Sequence, residues 1–481
     1  MVPWGVVKLL WAAVGGWLLV DLAAAGVSWA ARLGSPAEFL YGEAVVLDET
    51  RRLGLGGALY APPTDLPLTV TAYTPLYYLL VGWLQAASGS TGFLPGRLLS
   101  VGAVLVSAAV LAWTVHRLAG RWWSGLLAAG LFLTQNLTVL LWGPAHRVDP
   151  LALGLSLMGL ALATAGRGTL AAVPLALAVL TKQTYLAAPL CVALMLWPCR
   201  RCLVRFGLVF GGLVAGVFGV GQWLTGGWLL WHTVLANANP LDFTYFASLF
   251  GAFLQFNALP LLAAGALFWL PARGAERLWR LYFVVAGAEA LATIGKLGAS
   301  SNYWLELTAA TAVLTGVLAS RLGTSSAARA PLNATGLAGV TLASLLMGVP
   351  AYQATVAQAL ELHLEGAVGG IGGQLELAPL VAAEPGPVLT DDPGLVILAG
   401  KRVEFESVIF TILASQGVWD ETPILEAIAA RRFGLVVVQE PLDAPPRPLI
   451  AARWTARVRA ALRASYAPAA QQAGYWLYRP G

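Results

Sequence analysis

The stretch TLAAVPLALAVLTKQTYLAAPLCVALMLW, residues 169–197, holds two short apolar runs separated by ThrLysGln at 181–183. A helix needs about 20 apolar residues to cross a bilayer, so the stretch is either one long interrupted crossing or two short ones. An ionisable side chain inside a membrane costs several kcal/mol by insertion scales, which makes Lys182 a candidate functional residue. The alternative is a lysine that snorkels from a helix end to the interface.

The whole chain has the composition of a membrane protein. Of its 481 residues, 58% are hydrophobic and 11% are charged, and the mean hydropathy is +0.72. These values exclude soluble, collagen-like and disordered classes of protein. A net charge of +5 could suit nucleic acid, but most arginines stand singly or in pairs beside apolar runs, which is typical of topology signals. We therefore expect contacts with membrane lipids and no nucleic-acid partner.

The apolar runs predict a polytopic helical bundle. The first run, residues 4–30, is longer than a signal-peptide core and indicates a retained span. Further spans are predicted at 97–116, 122–142, 150–166, 203–224, 246–270, 278–296, 303–320 and 333–351. If residues 75–89 lie flat on the membrane and 169–197 cross twice, the arginine-rich loops all face the cytoplasm. The prediction is about eleven spans, within 10–13, with the N terminus inside.

Charge also divides the chain, because 23 of its 53 charged residues lie in the last 129 positions. We predict a membrane domain at 1–352 with a long first outer loop at 31–96, followed by a soluble extracytoplasmic α/β domain at 353–481. In that domain residues 387–392 and 435–439 read as strands, with a helical pattern at 421–433. The polar constellations then face outward from a cytoplasmic (inner) membrane.

The first outer loop carries candidate acids. Glu43 has uncharged neighbours from Tyr41 to Leu47, which predicts a carboxyl pKa raised by desolvation, as suits a general base. AspGluThrArgArg at 48–52 is more typical of a solvated interfacial helix.

HisArgValAspPro at 146–150 begins a predicted span. Asp149 before Pro150 suits a helix N-cap. Capping leaves His146 and Arg147 unexplained; together with Lys182 they predict an outward-facing site for a phosphate group. A salt bridge between Arg147 and Asp149 is the competing interpretation.

SerSerAsnTyrTrpLeuGlu at 300–306 enters another span. Asn302 and Glu306 stand four residues apart on one helical face. With Tyr303 between them, they suit sugar binding, in which rings stack and polar atoms bind hydroxyls. An interfacial aromatic belt would explain the tyrosine but not Glu306.

These motifs together resemble the GT-C superfamily of integral-membrane glycosyltransferases, and most nearly its protein O-mannosyltransferase and aminoarabinose transferase group. The resemblance rests on Glu43 in the long first loop, TyrThrProLeuTyrTyr at 73–78, ArgValAsp at 147–149 and ThrLysGln at 181–183. It covers most of residues 1–320.

The resemblance implies an inverting enzyme that moves a sugar from a polyprenyl-phosphate donor to an extracytoplasmic lipid, glycan or protein. Its general base would be Glu43 or Asp48, and Tyr73 and Tyr77 would contact substrate. A divalent ion such as Mg²⁺ or Mn²⁺ could bind at Glu43 and Asp149. A secondary transporter or a translocase of lipid-linked intermediates is the alternative.

Overall fold

The computed structural model describes residues 3–134, 137–323, 330–364, 371–445, 447–449 and 451–481. Its helices are α1 (Trp4–Gly34), α2 (Glu43–Gly54), α3 (Leu76–Ser88), α4 (Leu94–Ala119), α5 (Trp122–Thr134), α6 (Leu137–Trp142), α7 (Asp149–Thr164), α8 (Ala172–Thr181), α9 (Ala187–Leu196), α10 (Arg200–Leu224), α11 (Trp228–Thr233), α12 (Phe243–Gly265), α13 (Glu276–Thr293), α14 (Leu305–Gly323), α15 (Ala330–Leu364), α16 (Ile371–Ala383), α17 (Pro393–Leu398), α18 (Ser407–Ser415), α19 (Thr422–Ala429) and α20 (Ala456–Ser465). Short 3₁₀ helices lie at Leu235–Asn237, Ala266–Trp269 and Ser301–Trp304. The strands are β1 (Val388–Thr390), β2 (Leu435–Val438), β3 (Tyr466–Gln472) and β4 (Tyr475–Pro480).

The described residues form a mostly helical, multi-pass membrane protein. Six stretches are long and apolar enough to cross a bilayer: Trp4–Gly34, Leu94–Ala119, Arg200–Leu224, Phe243–Trp269, Ser301–Gly323 and Asn333–Ala357. Four shorter apolar helices, α5, α7, α8 and α9, accompany them. The predicted interruption at 181–183 is present as the break between α8 and α9. The total of about eleven spans stays a prediction.

Helix α14 forms the centre of the membrane bundle, and every residue from Leu305 to Ser320 is buried. Small residues make this possible because they let neighbouring backbones approach closely. A Cβ placed on Gly316 would stand 2.7 Å from the carbonyl oxygen of Ser124 in α5. The central helix fixes the position of Glu306 in its first turn and of Asn302 in the 3₁₀ helix just before it.

Residues 31–96, predicted to face outward and therefore named the first outer segment, contain two helices joined by a stretch without regular secondary structure. Helix α2 begins at Glu43 after Gly42, whose φ of 91° is a left-handed conformation that favours glycine. Helix α3 coincides with the predicted run 75–89 and is too short to span a bilayer alone.

The C-terminal region contains a four-stranded sheet in the order β1-β2-β4-β3. Strand β1 pairs parallel to β2, with Leu389 opposite Val436, and β4 pairs antiparallel to both β2 and β3. Strands β1 and β2 and helix α19 fall within the predicted ranges, which confirms the small α/β sheet. Helix α15 continues past residue 352, so the division at that residue stays a prediction.

The sheet region is joined to the first outer segment by backbone hydrogen bonds. The Leu68 amide donates to Glu404 O at 2.8 Å, and the Glu406 amide donates to Leu68 O at 2.9 Å. In addition, the Val403 amide donates to Asp48 Oδ1 at 3.2 Å. These contacts join the region after α2 to the C-terminal region.

Candidate functional site

Glu43 is fully buried at the start of α2 and paired with Arg97 of α4. Arg97 Nε and Nη2 each donate to one oxygen of the carboxylate at 3.0 Å. The amides of His146 and Phe39 donate to the same two oxygens at 2.7 and 3.1 Å. Burial opposes ionisation, but Arg97 and the two amides outweigh it and lower the pKa of Glu43. The expectation of a raised pKa was wrong, because it considered only the sequence neighbours.

Arg97 itself has its remaining donors satisfied. Nη1 donates to the carbonyls of Arg32 and Ser35, and Nη2 also donates to that of Ala37. Its guanidinium stacks over the ring of Phe93 at 4.5 Å. Sequence reasoning missed Arg97, since nothing local links it to Glu43. The pair anchors the end of α1, the start of α2 and the loop before α7 to one another.

Arg147 stands next to this anchor and is partly exposed. Its Nη2 donates to Tyr73 Oη at 2.5 Å, and its guanidinium lies over the rings of Tyr73 and Trp142, 5.4 Å from each centroid. Its Nε has no hydrogen-bond partner among the described residues. The guanidinium approaches so closely to Gly42 that a Cβ there would stand 2.0 Å from Nη1.

Lys182 lies at the C-terminal end of α8, 5% exposed, and donates to Asp149 Oδ1 at 2.6 Å. Asn302 Nδ2 donates to the same oxygen at 2.8 Å. The ammonium also faces the rings of Tyr303 at 4.9 Å and Tyr73 at 5.8 Å. A snorkelling lysine would extend into solvent instead, so that alternative does not fit. Asp149 pairs with Lys182 rather than Arg147.

Asp149 occupies the first position of α7, and Val148 is the N-cap residue. The predicted capping role is therefore wrong. Its Oδ2 has no partner within the described parts of the chain, and the same is true of Asn302 Oδ1. These acceptors, beside Lys182, can bind hydroxyl groups of a ligand.

The structure thus brings several of the predicted residues together: Arg147 and Lys182 both lie against Tyr73. Asp149 and Tyr303 contact Lys182, and Asn302 contacts Asp149. Glu306 lies deeper, where its Oε1 accepts hydrogen bonds from Tyr282 Oη at 2.9 Å and Ser156 Oγ at 3.2 Å.

Three predicted residues lie apart from this group. The His146 ring packs edge-on against Tyr77 and Phe93, and burial lowers its pKa to about 4, so it is neutral near pH 7. Tyr77 is buried, with its hydroxyl 3.4 Å from Gly96 O. Asp48 faces the C-terminal sheet region.

Three carboxyl groups that were not predicted as site residues lie near these side chains: Glu38 is within electrostatic range of Arg147, and Glu49 is within electrostatic range of Glu406. Burial raises the pKa of Glu38 and of Glu49 to about 8, and that of Glu406 to about 7. Glu406 is partly exposed, and its Oε2 accepts the Val70 amide at 2.8 Å. It lies within electrostatic range of Arg147. No local sequence signal could have found Glu406, because Val70 is 336 residues away.

The predicted metal ligands do not fit a divalent ion. Both oxygens of Glu43 accept hydrogen bonds from Arg97, and Asp149 faces Lys182. Among the described residues no group of three or more His, Cys, Asp and Glu side chains is arranged to hold a metal.

Sequence comparison finds no matching family model and no matching curated protein, whereas solved structures do match. ArnT from Cupriavidus metallidurans bound to undecaprenyl phosphate is 16% identical over 96% of this chain and 98% of that one, with a TM-score of 0.64. Archaeal oligosaccharyltransferase AglB from Archaeoglobus fulgidus, in complex with an inhibitory peptide and a dolichol-phosphate, is 11% identical over 88% of this chain and 69% of that one, with a TM-score of 0.51. The chain therefore has the same fold as these two structures, which agrees with the GT-C-like fold that its sequence motifs indicated.

Proposed function

We propose that the protein is a membrane glycosyltransferase that moves a sugar from a polyprenyl-phosphate donor to an extracytoplasmic acceptor. The observation that carries the proposal is the convergence of two cations on one ring. Arg147, before α7, and Lys182, after α8, lie 5.4 and 5.8 Å from the centroid of Tyr73. Two cations from separate elements, each with a donor to spare, suit a phosphate group.

In the proposed reaction the acceptor oxygen attacks the anomeric carbon as the bond from that carbon to the phosphate oxygen breaks. The leaving polyprenyl phosphate gains negative charge, which Arg147 and Lys182 stabilise more strongly in the transition state than in the bound donor. A single displacement of this kind inverts the anomeric configuration. Asn302, Tyr303 and the free oxygen of Asp149 would hold the sugar hydroxyls, with Glu306 and Tyr282 behind them.

The acceptor proton needs a base with an accessible lone pair and a pKa near the working pH. Glu43 and Asp48, the candidates from the sequence, are both buried, and the Glu43 carboxylate already accepts four hydrogen bonds. Partly exposed Glu406, with a pKa of about 7, meets these requirements better. We therefore assign Glu406 the role of base and Glu43 that of a positioning residue.

The fold neighbours support the donor class, because ArnT binds undecaprenyl phosphate and AglB binds a dolichol-phosphate in their solved structures. We further propose that the enzyme lies in the cytoplasmic membrane with its site facing outward. Residues 1–352 would form the catalytic membrane domain, and residues 353–481 would form an extracytoplasmic domain that supplies Glu406 to the site.

The test is to incubate the purified protein with several polyprenyl-phosphate sugars and measure released polyprenyl phosphate. Release that depends on Arg147 and Lys182 supports the proposal. Movement of lipid-linked sugar across proteoliposomes without release would instead identify a translocase and overturn it.

A further inference from the structure

A cavity of about 510 Å³ opens between the first outer segment, α11 and the C-terminal region. That volume is within the range of small-molecule sites. Three tryptophans from two of these elements line it: Trp228 and Trp231 from α11, and Trp419 from the loop before α19. All three are partly exposed, so they present ring surface to the cavity.

The tryptophan rings are held in fixed orientations. Trp419 Nε1 donates to Pro63 O at 3.0 Å, and the ring packs on Phe410 at a centroid distance of 4.5 Å. Trp231 stands edge-on to His232, at 83° and 4.9 Å. Such rigid ring surfaces bind flat apolar faces at a low cost in conformational entropy.

Carboxylates surround the rings. Asp65, Asp420 and Glu426 line the cavity and are exposed, and Arg432 is the cation among the described lining residues. Carboxylates accept hydrogen bonds from hydroxyl groups and repel anions. A cavity lined by tryptophan rings and carboxylates therefore favours an uncharged polyhydroxylated ligand over a phosphorylated one.

The cavity is connected to the candidate site by a short, hydrogen-bonded segment. The Thr71 amide donates to His232 Nδ1 at 3.0 Å, so Nε2 carries the proton and donates to Ala61 O at 2.7 Å. Tyr73, the tyrosine on which Arg147 and Lys182 converge, follows two residues after Thr71. A ligand in the cavity would thus lie beside the segment that bears Tyr73.

We infer that this cavity, the tryptophan groove, binds an uncharged carbohydrate, namely the glycan portion of the acceptor. Identifying this carbohydrate as part of the acceptor rests on the proposed function, but the binding itself does not.

Binding can be measured without donor by titrating the full-length protein with neutral oligosaccharides of glucose, mannose and galactose. Trp231→Ala should weaken the affinity for the preferred oligosaccharide by about tenfold or more, the scale of one lost aromatic contact. Glu426→Gln should weaken it several-fold. The matched control is Trp223→Ala, whose side chain is 80% exposed and outside the groove and should change nothing.

The results separate the two proposals. Oligosaccharide binding that is lost in Trp231→Ala supports the groove even if no sugar transfer is found, and in that case only the proposed function fails. No binding of any neutral oligosaccharide by an enzyme that transfers sugar overturns the groove alone. Oligosaccharide affinity that is unchanged in Trp231→Ala would overturn the groove too.

Discussion

The Arg147 guanidinium occupies the space beside Gly42 that an added methyl group would need. We expect Gly42→Ala to lose affinity for polyprenyl phosphate, because its Cβ would stand 2.0 Å from Arg147 Nη1 and displace the guanidinium. It should also lose about 1–2 kcal/mol of stability from its left-handed backbone. Gly56→Ala is the matched control, since Gly56 has a φ of +80° and open space around it. It should be destabilised similarly and bind the lipid phosphate normally; equal affinities would remove Arg147 from the site.

Lys182 is both a candidate phosphate ligand and the partner of a buried carboxylate, and two variants separate these roles. Lys182→Met should weaken binding of free polyprenyl phosphate by about 1.5–3 kcal/mol, the scale of one charge-assisted hydrogen bond. It also leaves Asp149 unpaired, which costs about 3–5 kcal/mol of stability. Adding Asp149→Asn should restore the melting temperature but not the affinity. If the double variant binds like the parent protein, Lys182 only neutralises Asp149.

The pH dependence of turnover tests the assignment of the base. A base must be deprotonated, so with a pKa of about 7 for Glu406 the rate should rise with pH through that value and then level off. Glu406→Gln should remove this rise and lower kcat by about 100- to 10,000-fold. Glu43→Gln should lower stability and turnover but retain the rise in the activity that remains. If Glu43→Gln or Asp48→Asn instead abolishes the rise of turnover with pH, the general base is one of these two residues and not Glu406.

Helix contacts within the bundle rely on glycines that face neighbouring backbones. Gly316→Ala in α14 should lower the melting temperature, because its Cβ would meet Ser124 O at 2.7 Å and Ala128 Cβ at 3.0 Å. Overpacking of this kind costs about 1–3 kcal/mol. Gly212→Ala in α10, where nothing lies within 4 Å, should leave the melting temperature unchanged. Equal thermal shifts would mean that α5 and α14 do not pack this closely.

Some elements were predictable from the sequence and others were not, for physical reasons. The break at Lys182 and strands β1 and β2 follow from local signals: an ionisable residue between apolar runs, and buried β-branched stretches. Strand β3 reads TyrAlaProAlaAlaGlnGln and is exposed beyond its first residue, so it lacks the apolar alternation that marks a strand. Its pairing with β4 is supplied by tertiary contacts.

The same distinction holds for the candidate site. Arg147, Asp149 and Lys182 could be proposed from the sequence because a charge in an apolar context stands out locally. Arg97 and Glu406 could not be proposed in this way, because their partners are distant in sequence. Arg97 pairs with Glu43, 54 residues away, and Glu406 accepts from Val70, 336 residues away. The direction of the Glu43 pKa was predicted wrongly for the same reason.

The orientation of the whole molecule can be tested by labelling intact cells with a membrane-impermeant maleimide, in a background where the three native cysteines are serine. Leu241→Cys and Gln471→Cys should react, and Arg201→Cys and Arg277→Cys should not, since arginine-rich loops face the cytoplasm. All four positions are exposed. The start of α10 at Arg201 is the sharpest test, because Cys199 and Cys202 form a disulfide, a bond typical of oxidising compartments. Labelling there would reverse the proposed orientation.

The backbone hydrogen bonds between Leu68 and residues 404–406 also determine when, during synthesis of the chain, the candidate site can be completed. A ribosome that has just made Leu68 must add more than 300 residues before Glu404 and Glu406 emerge. Throughout that interval the Leu68 amide and carbonyl lack their partners, and the base proposed at Glu406 is missing. Maturation of the site is therefore among the last events in the biosynthesis of the chain. Any product of premature termination before Glu404 would insert its helices into the membrane without acquiring a complete site.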